Sequence, residues 1–111
     1  MRNHDRRVLR EYGIDPAEWA VLFAASFYEP ISWRRFVELA AWEADGTIPE
    51  QDITAALQRC IEKNWVMLSQ DLPALFSYAE DREETVVLTE LGYQLKNSVV
   101  VAMMETVPLA G

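Results

Sequence analysis

Pro49-Glu50-Gln51-Asp52-Ile53-Thr54-Ala55-Ala56-Leu57-Gln58-Arg59-Cys60-Ile61-Glu62-Lys63-Asn64-Trp65-Val66-Met67-Leu68-Ser69 changes period partway along, and that change organises the whole chain. Ile53, Ala56, Leu57, Cys60 and Ile61 recur at helical spacing, which predicts a helix over about residues 50–63 with one inward stripe. Cys60 lies inside the stripe and reads as a small buried hydrophobe rather than a reactive thiol. Asn64 is suited to the left-handed position that ends a helix. The Trp65–Ser69 run that follows is a short strand by its continuous apolar, β-branched character.

Upstream of this stretch, Asp15-Pro16-Ala17-Glu18 has the form of a capping box with proline in the first turn. The helix it opens is predicted to reach about Tyr28 and stop before Pro30. Its core stripe would be Trp19, Leu22, Phe23, Ser26 and Phe27. A second helix is predicted from Ser32, as its cap, to about Ala44. Trp33, Phe36, Val37, Ala40 and Ala41 form its inner face, which Leu39 and Trp42 widen, and Gly46 provides the stop. Downstream, Val86-Val87-Leu88 is the antiparallel partner of the Trp65–Ser69 strand. The connection between them, about residues 70–85, holds Leu72-Pro73-Ala74-Leu75-Phe76 and the acidic run Glu80-Asp81-Arg82-Glu83-Glu84. Thr89 caps a last helix whose stripe is Leu91, Leu95, Val99, Ala102 and Met103. That face is broad enough to predict a homodimer through Leu95, Val99, Ala102 and Met103.

The 111 residues carry 18 acids, 10 bases and half their residues in hydrophobic classes, a composition that excludes global disorder. Net charge is −8, yet residues 1–10 hold Arg2, Arg6, Arg7 and Arg10 against Asp5 alone. The expected organisation is a basic arm over 1–14, a domain over 15–105 and a loose tail over 106–111. The arm lacks the apolar core of a secretory signal, and no run approaches the length of a membrane span. One cysteine excludes an internal disulfide and favours a reducing, cytoplasmic setting.

Three helices, a two-stranded ribbon and a final helix resemble the winged-helix superfamily of helix-turn-helix domains. The local likeness runs from Pro49-Glu50 through Ile53, Ala56-Leu57, Cys60-Ile61 and Asn64-Trp65-Val66, then resumes at Val87-Leu88-Thr89 with Leu91-Gly92. The resemblance implies an α+β fold and duplex DNA reading by the helix over 50–63. The contacting residues would include Gln51, Thr54, Ala55, Gln58 and Arg59, with Glu62 and Lys63 at the far end of the face.

Chemistry-bearing patterns are sparse. His4 is the sole histidine and no zinc-ligand spacing occurs. No glycine-rich phosphate loop occurs either. No cofactor or metal is assigned, and whether a small-molecule effector binds is left open. The acidity of the ribbon connection, with Glu50 and Asp52 at the N-terminus of the helix over 50–63, opposes phosphate. The first reading is therefore a non-catalytic protein-interaction or regulatory adaptor, its partner surface drawn from Phe76, Tyr78, Glu80, Asp81, Glu83 and Glu84. The alternative is a DNA-binding transcriptional regulator using Gln51, Thr54, Gln58 and Arg59 with Arg2, Arg6, Arg7 and Arg10 of the arm. A small enzyme of unassigned class ranks third.

Overall fold

The computed structural model describes residues 3–25, 31–69 and 85–105. Their order is α1 (Asn3–Glu11), α2 (Pro16–Ala24), β1 (Ile31–Ser32), α3 (Trp33–Glu43), α4 (Glu50–Glu62), β2 (Val66–Ser69), β3 (Thr85–Leu88) and α5 (Glu90–Met104). The fold is α+β: five helices around a small antiparallel sheet of order β1-β3-β2. Val66 pairs with Leu88 and Ser69 with Thr85, placing the ribbon where the change of period predicts it.

The helix ends follow local chemistry. The Asp15 carboxylate accepts from the Glu18 N–H at 2.8 Å, and the Glu18 carboxylate accepts from the Asp15 N–H at 3.1 Å. This closes the capping box of α2. At the end of α4, Asn64 takes φ 61° and the Trp65 N–H donates to the Cys60 carbonyl at 2.9 Å. The left-handed residue turns the chain directly into β2. Thr89 caps α5, accepting from the Gly92 N–H at 3.0 Å. Its own hydroxyl donates to the carbonyls of Asn64 and Trp65, tying the start of α5 to the α4–β2 turn.

Three sequence expectations are corrected. The basic segment is not an arm: it is helix α1, with Val8 and Leu9 buried in the common core. It ends on Gly13 at φ +69°, and the Ile14 N–H returns to the Leu9 carbonyl while the Ile14 side chain is buried. The ribbon has a third strand, because Ile31 pairs with Val86 and Ser32 with Thr85. Ser32 therefore begins α3 without a side-chain cap bond. Finally, Phe23, Trp42 and Leu91 do not lie inside. Phe23 occupies the one open side of α2 and packs against Trp19 with ring centroids 5.9 Å apart. Trp42 is 75% exposed near the end of α3. The stretch 26–30, which holds the expected end of the first helix with Ser26 and Phe27, lies outside the described residues, as do 70–84 and 106–111.

The core gathers Leu9, Leu22, Phe36, Ile53, Leu57, Cys60, Val66, Val86 and Val99, so every helix contributes. α2 packs against both α3 and α4, while α1 packs on α5. Lys96 fastens α5 to the end of α2, its Nζ donating to the carbonyls of Phe23 (3.0 Å) and Ala25 (3.1 Å). Burial pushes its pKa down, with the Glu43 charge opposing. No helix among the described residues is long and apolar enough to cross a membrane.

Candidate nucleic-acid interface

Burying Ile53, Ala56, Leu57 and Cys60 turns the opposite face of α4 outward. Gln51, Ala55 and Gln58 are exposed there at helical spacing, with Thr54 half-buried beside them. The Thr54 hydroxyl donates to the Glu50 carbonyl one turn back at 3.0 Å, so its oxygen remains an acceptor at the surface. Glu50 and Asp52 are exposed in the first turn, where they favour the helix dipole and oppose an incoming phosphate.

Arg59 is placed differently from the rest of the row. Its Nη2 donates to Asp15 Oδ2 at 2.8 Å, and its Nε lies 3.8 Å from Glu18 Oε2. Lys63 Nζ donates to the same Glu18 oxygen at 2.7 Å and stands 4.5 Å from the Trp65 ring centroid. Both basic residues at the end of α4 are thus engaged by the capping box of α2. The Glu18 side chain is 4% exposed, whereas those of Asp15 and Arg59 are 46% and 41% exposed. Burial raises the Asp15 pKa, but the Glu18 N–H and the Arg59 charge outweigh it and hold the carboxyl below its usual value. Sequence reasoning missed Glu18 and Lys63 as partners. The capping box is readable from spacing, but its link across more than forty residues leaves no local signal.

An open cleft of about 340 Å³ lies between the start of α2 and α4, lined by Asp15, Ile48, Asp52, Ala55 and Arg59 among others. A second, of about 600 Å³, brings Arg6 and Arg10 of α1 to the other side of Asp15 and Glu18. Arg6, Arg7 and Arg10 are exposed, so two of the segment's arginines converge on the capping box that holds Arg59. Arg2 and the proposed partner surface, Phe76, Tyr78, Glu80, Asp81, Glu83 and Glu84, lie outside the described residues.

The predicted dimer face turns inward. Val99 is fully buried, and Leu95, Ala102 and Met103 are partly buried against the core. The reason is α1, which covers this side of α5. His4 Nε2 donates to the Ala102 carbonyl at 3.2 Å. Among the described residues no group of three or more His, Cys, Asp or Glu side chains is placed to hold a metal. Cys60 is buried and its thiol is pushed up to about 12, first by burial and then by the Glu18 charge.

No protein-family model and no curated protein sequence matches the chain. Solved structures do match its fold. The transcriptional regulator Tm0710 from Thermotoga maritima is similar over 90% of this chain, at 20% identity and TM-score 0.61. A MarR-family transcriptional regulator from Silicibacter pomeroyi is similar over 90%, at 16% identity and TM-score 0.67. A disulfide-formed AbfR is similar over 88%, at 19% identity and TM-score 0.60. The chain spans 61%, 59% and 59% of these three structures in turn. With the helix trio, the Asn64 turn and the β2–β3 ribbon, the likeness establishes the fold as a winged helix.

Proposed function

We propose that the protein is a winged-helix transcriptional regulator that contacts duplex DNA with the outward face of α4. The observation that carries this reading is the exposed row Gln51, Ala55 and Gln58 on the helix that a winged helix presents to a groove. Glutamine amides match the donor and acceptor pattern of base edges, and Ala55 leaves room for close approach. Two of the similar structures are described as transcriptional regulators, which supports the same reading. The adaptor reading drew on residues 76–84, outside the described residues, and takes second place.

The acidic first turn of α4 has a consequence for how such a contact is balanced. Glu50 and Asp52 weaken the phosphate contribution, so Arg6, Arg7 and Arg10 supply most of the cationic contacts. The log Kd against log salt slope should then be shallow, about 3 in magnitude for roughly three neutralised phosphates. The test is selection from a random duplex pool at low salt, followed by titration of the selected duplex. Gln58→Ala should weaken the selected site about tenfold or more and relax its sequence preference. Arg6→Gln should weaken all duplexes alike. Retention of no duplex at low salt would overturn the reading.

A homodimer remains part of this proposal, moved to the face of α5 opposite the core. Val101 and Met104 are 55% and 74% exposed there, flanked by Tyr93 and Asn97.

A further inference from the structure

The contact between Asp15 and Arg59 joins the capping box of one helix to the proposed reading face of another, and both side chains stand partly in solvent. Arg59 is the only arginine of α4 and follows Ala55 by one turn. The cleft that holds the pair is also lined by Ala55, so it opens onto the exposed row. A phosphate lying along that row would reach Arg59 Nη2 where Asp15 Oδ2 now sits, 2.8 Å away. Arginine binds carboxylate and phosphate through the same planar donors, and a half-exposed pair is readily exchanged. Glu18 cannot take that part. Its carboxylate is buried, fixed by the Asp15 N–H and by Lys63.

We propose that Asp15 is an autoinhibitory contact: its carboxylate occupies Arg59 in place of a DNA phosphate, and freeing Arg59 strengthens duplex binding. The proposal rests on α4 as the duplex-contacting helix. It also divides the roles of the capping box. Glu18 holds α2 and α4 together, while Asp15 both caps α2 and withholds a cation from the reading face.

Asp15→Asn separates those roles, because asparagine is as good an N-cap as aspartate but carries no charge. The measurement is titration of a selected duplex with wild type, Asp15→Asn, Arg59→Gln and the double variant, with thermal unfolding of each. Asp15→Asn should tighten Kd about three- to tenfold and steepen the salt slope by about 0.9, the value for one added phosphate contact. In the Arg59→Gln background the same substitution should give no gain beyond that of lost acidity alone. Asp52→Asn, at another acid lining the cleft, gives the size of a gain from lost acidity alone, and Asp15→Asn should exceed it. Asp15→Ser, which keeps a capping oxygen, repeats the test if the asparagine variant folds poorly.

Binding by Asp15→Asn alone, with none by wild type, would support the brake in its strongest form. Unchanged or weaker binding by Asp15→Asn, or an equal gain without Arg59, would overturn it and leave the role of α4 standing. Absence of binding by both wild type and Asp15→Asn would overturn both.

Discussion

Gly92 shows how closely single positions are determined. A Cβ there would stand 1.9 Å from the Trp65 carbonyl oxygen and 2.7 Å from its carbon, so α5 sits on the α4–β2 turn only because this side chain is absent. Gly92→Ala should cost about 3 kcal/mol or more in urea unfolding, since backbone must move. Asn64, at φ 61°, should tolerate glycine without loss, whereas alanine should cost about 1 kcal/mol. Cys60, pushed up to about 12, stays a neutral thiol at pH 8 and should resist alkylation except through unfolding. Its raised pKa contributes stability that is whole below the unfolded value of about 8.5 and is lost as pH rises through the folded one. Unfolding midpoints measured from pH 8 upward should therefore fall, and should fall less in Cys60→Ala. Asn64 and Cys60 are legible because a helix stop and an inward stripe are local patterns, whereas the need for glycine at position 92 arises from Trp65, twenty-seven residues away, and leaves no local signal. Phe23 and Trp42 were misplaced because their helices are apolar on more than one side. Spacing alone cannot say which apolar side meets a neighbour.

At the scale of elements, α1 is the main departure from the sequence reading. Four arginines within ten residues resemble a solvated arm, and only Val8 and Leu9 mark the buried side. The legible clue was Gly13-Ile14, a helix stop followed by an apolar residue that folds back over the last turn. Leu9→Ala discriminates the two: an arm would lose nothing, whereas a buried leucine should cost about 2–5 kcal/mol by thermal or urea unfolding. β1 was unreadable because two residues pair only once β3 is beside them. The capping box was legible, but its ion pairs with α4 were not. Glu18→Gln keeps the N3 acceptor while removing the charge beneath Lys63 and Arg59, and should cost about 2 kcal/mol. Asp15, with its pKa held down, contributes stability present above the unfolded value of about 3.9 and lost as pH falls through the folded value. The contribution is modest because the side chain is half exposed. An acid titration of stability should show a shallower fall below pH 4 in Asp15→Asn than in wild type.

Over the whole molecule, a charge of −8 and a winged-helix fold pull in opposite directions. The sequence reading sets the acids of the ribbon connection and of the first turn of α4 against phosphate, and so favours an adaptor. In the fold, Asp15 and Glu18 take up capping and pairing positions, while Glu50 and Asp52 stay exposed beside the amides of α4 and the arginines of α1 lie on a separate helix. What no local pattern could reveal was that α1 packs on α5, on the side where the sequence predicts a dimer face. Val101→Glu with Met104→Glu should shift a concentration-dependent mass toward the monomer without lowering the unfolding midpoint, read by light scattering and melting. The same substitutions at the buried Val99 should unfold the chain instead. The proposed contact between α4 and a duplex is tested by mapping backbone amide shifts as a selected duplex is titrated into the labelled protein. Shifts should concentrate at residues 51–58, with a second set at residues 6–10, and should fade with added salt. Shifts confined to α5, or none at all at low salt, would contradict a regulator that reads DNA through α4.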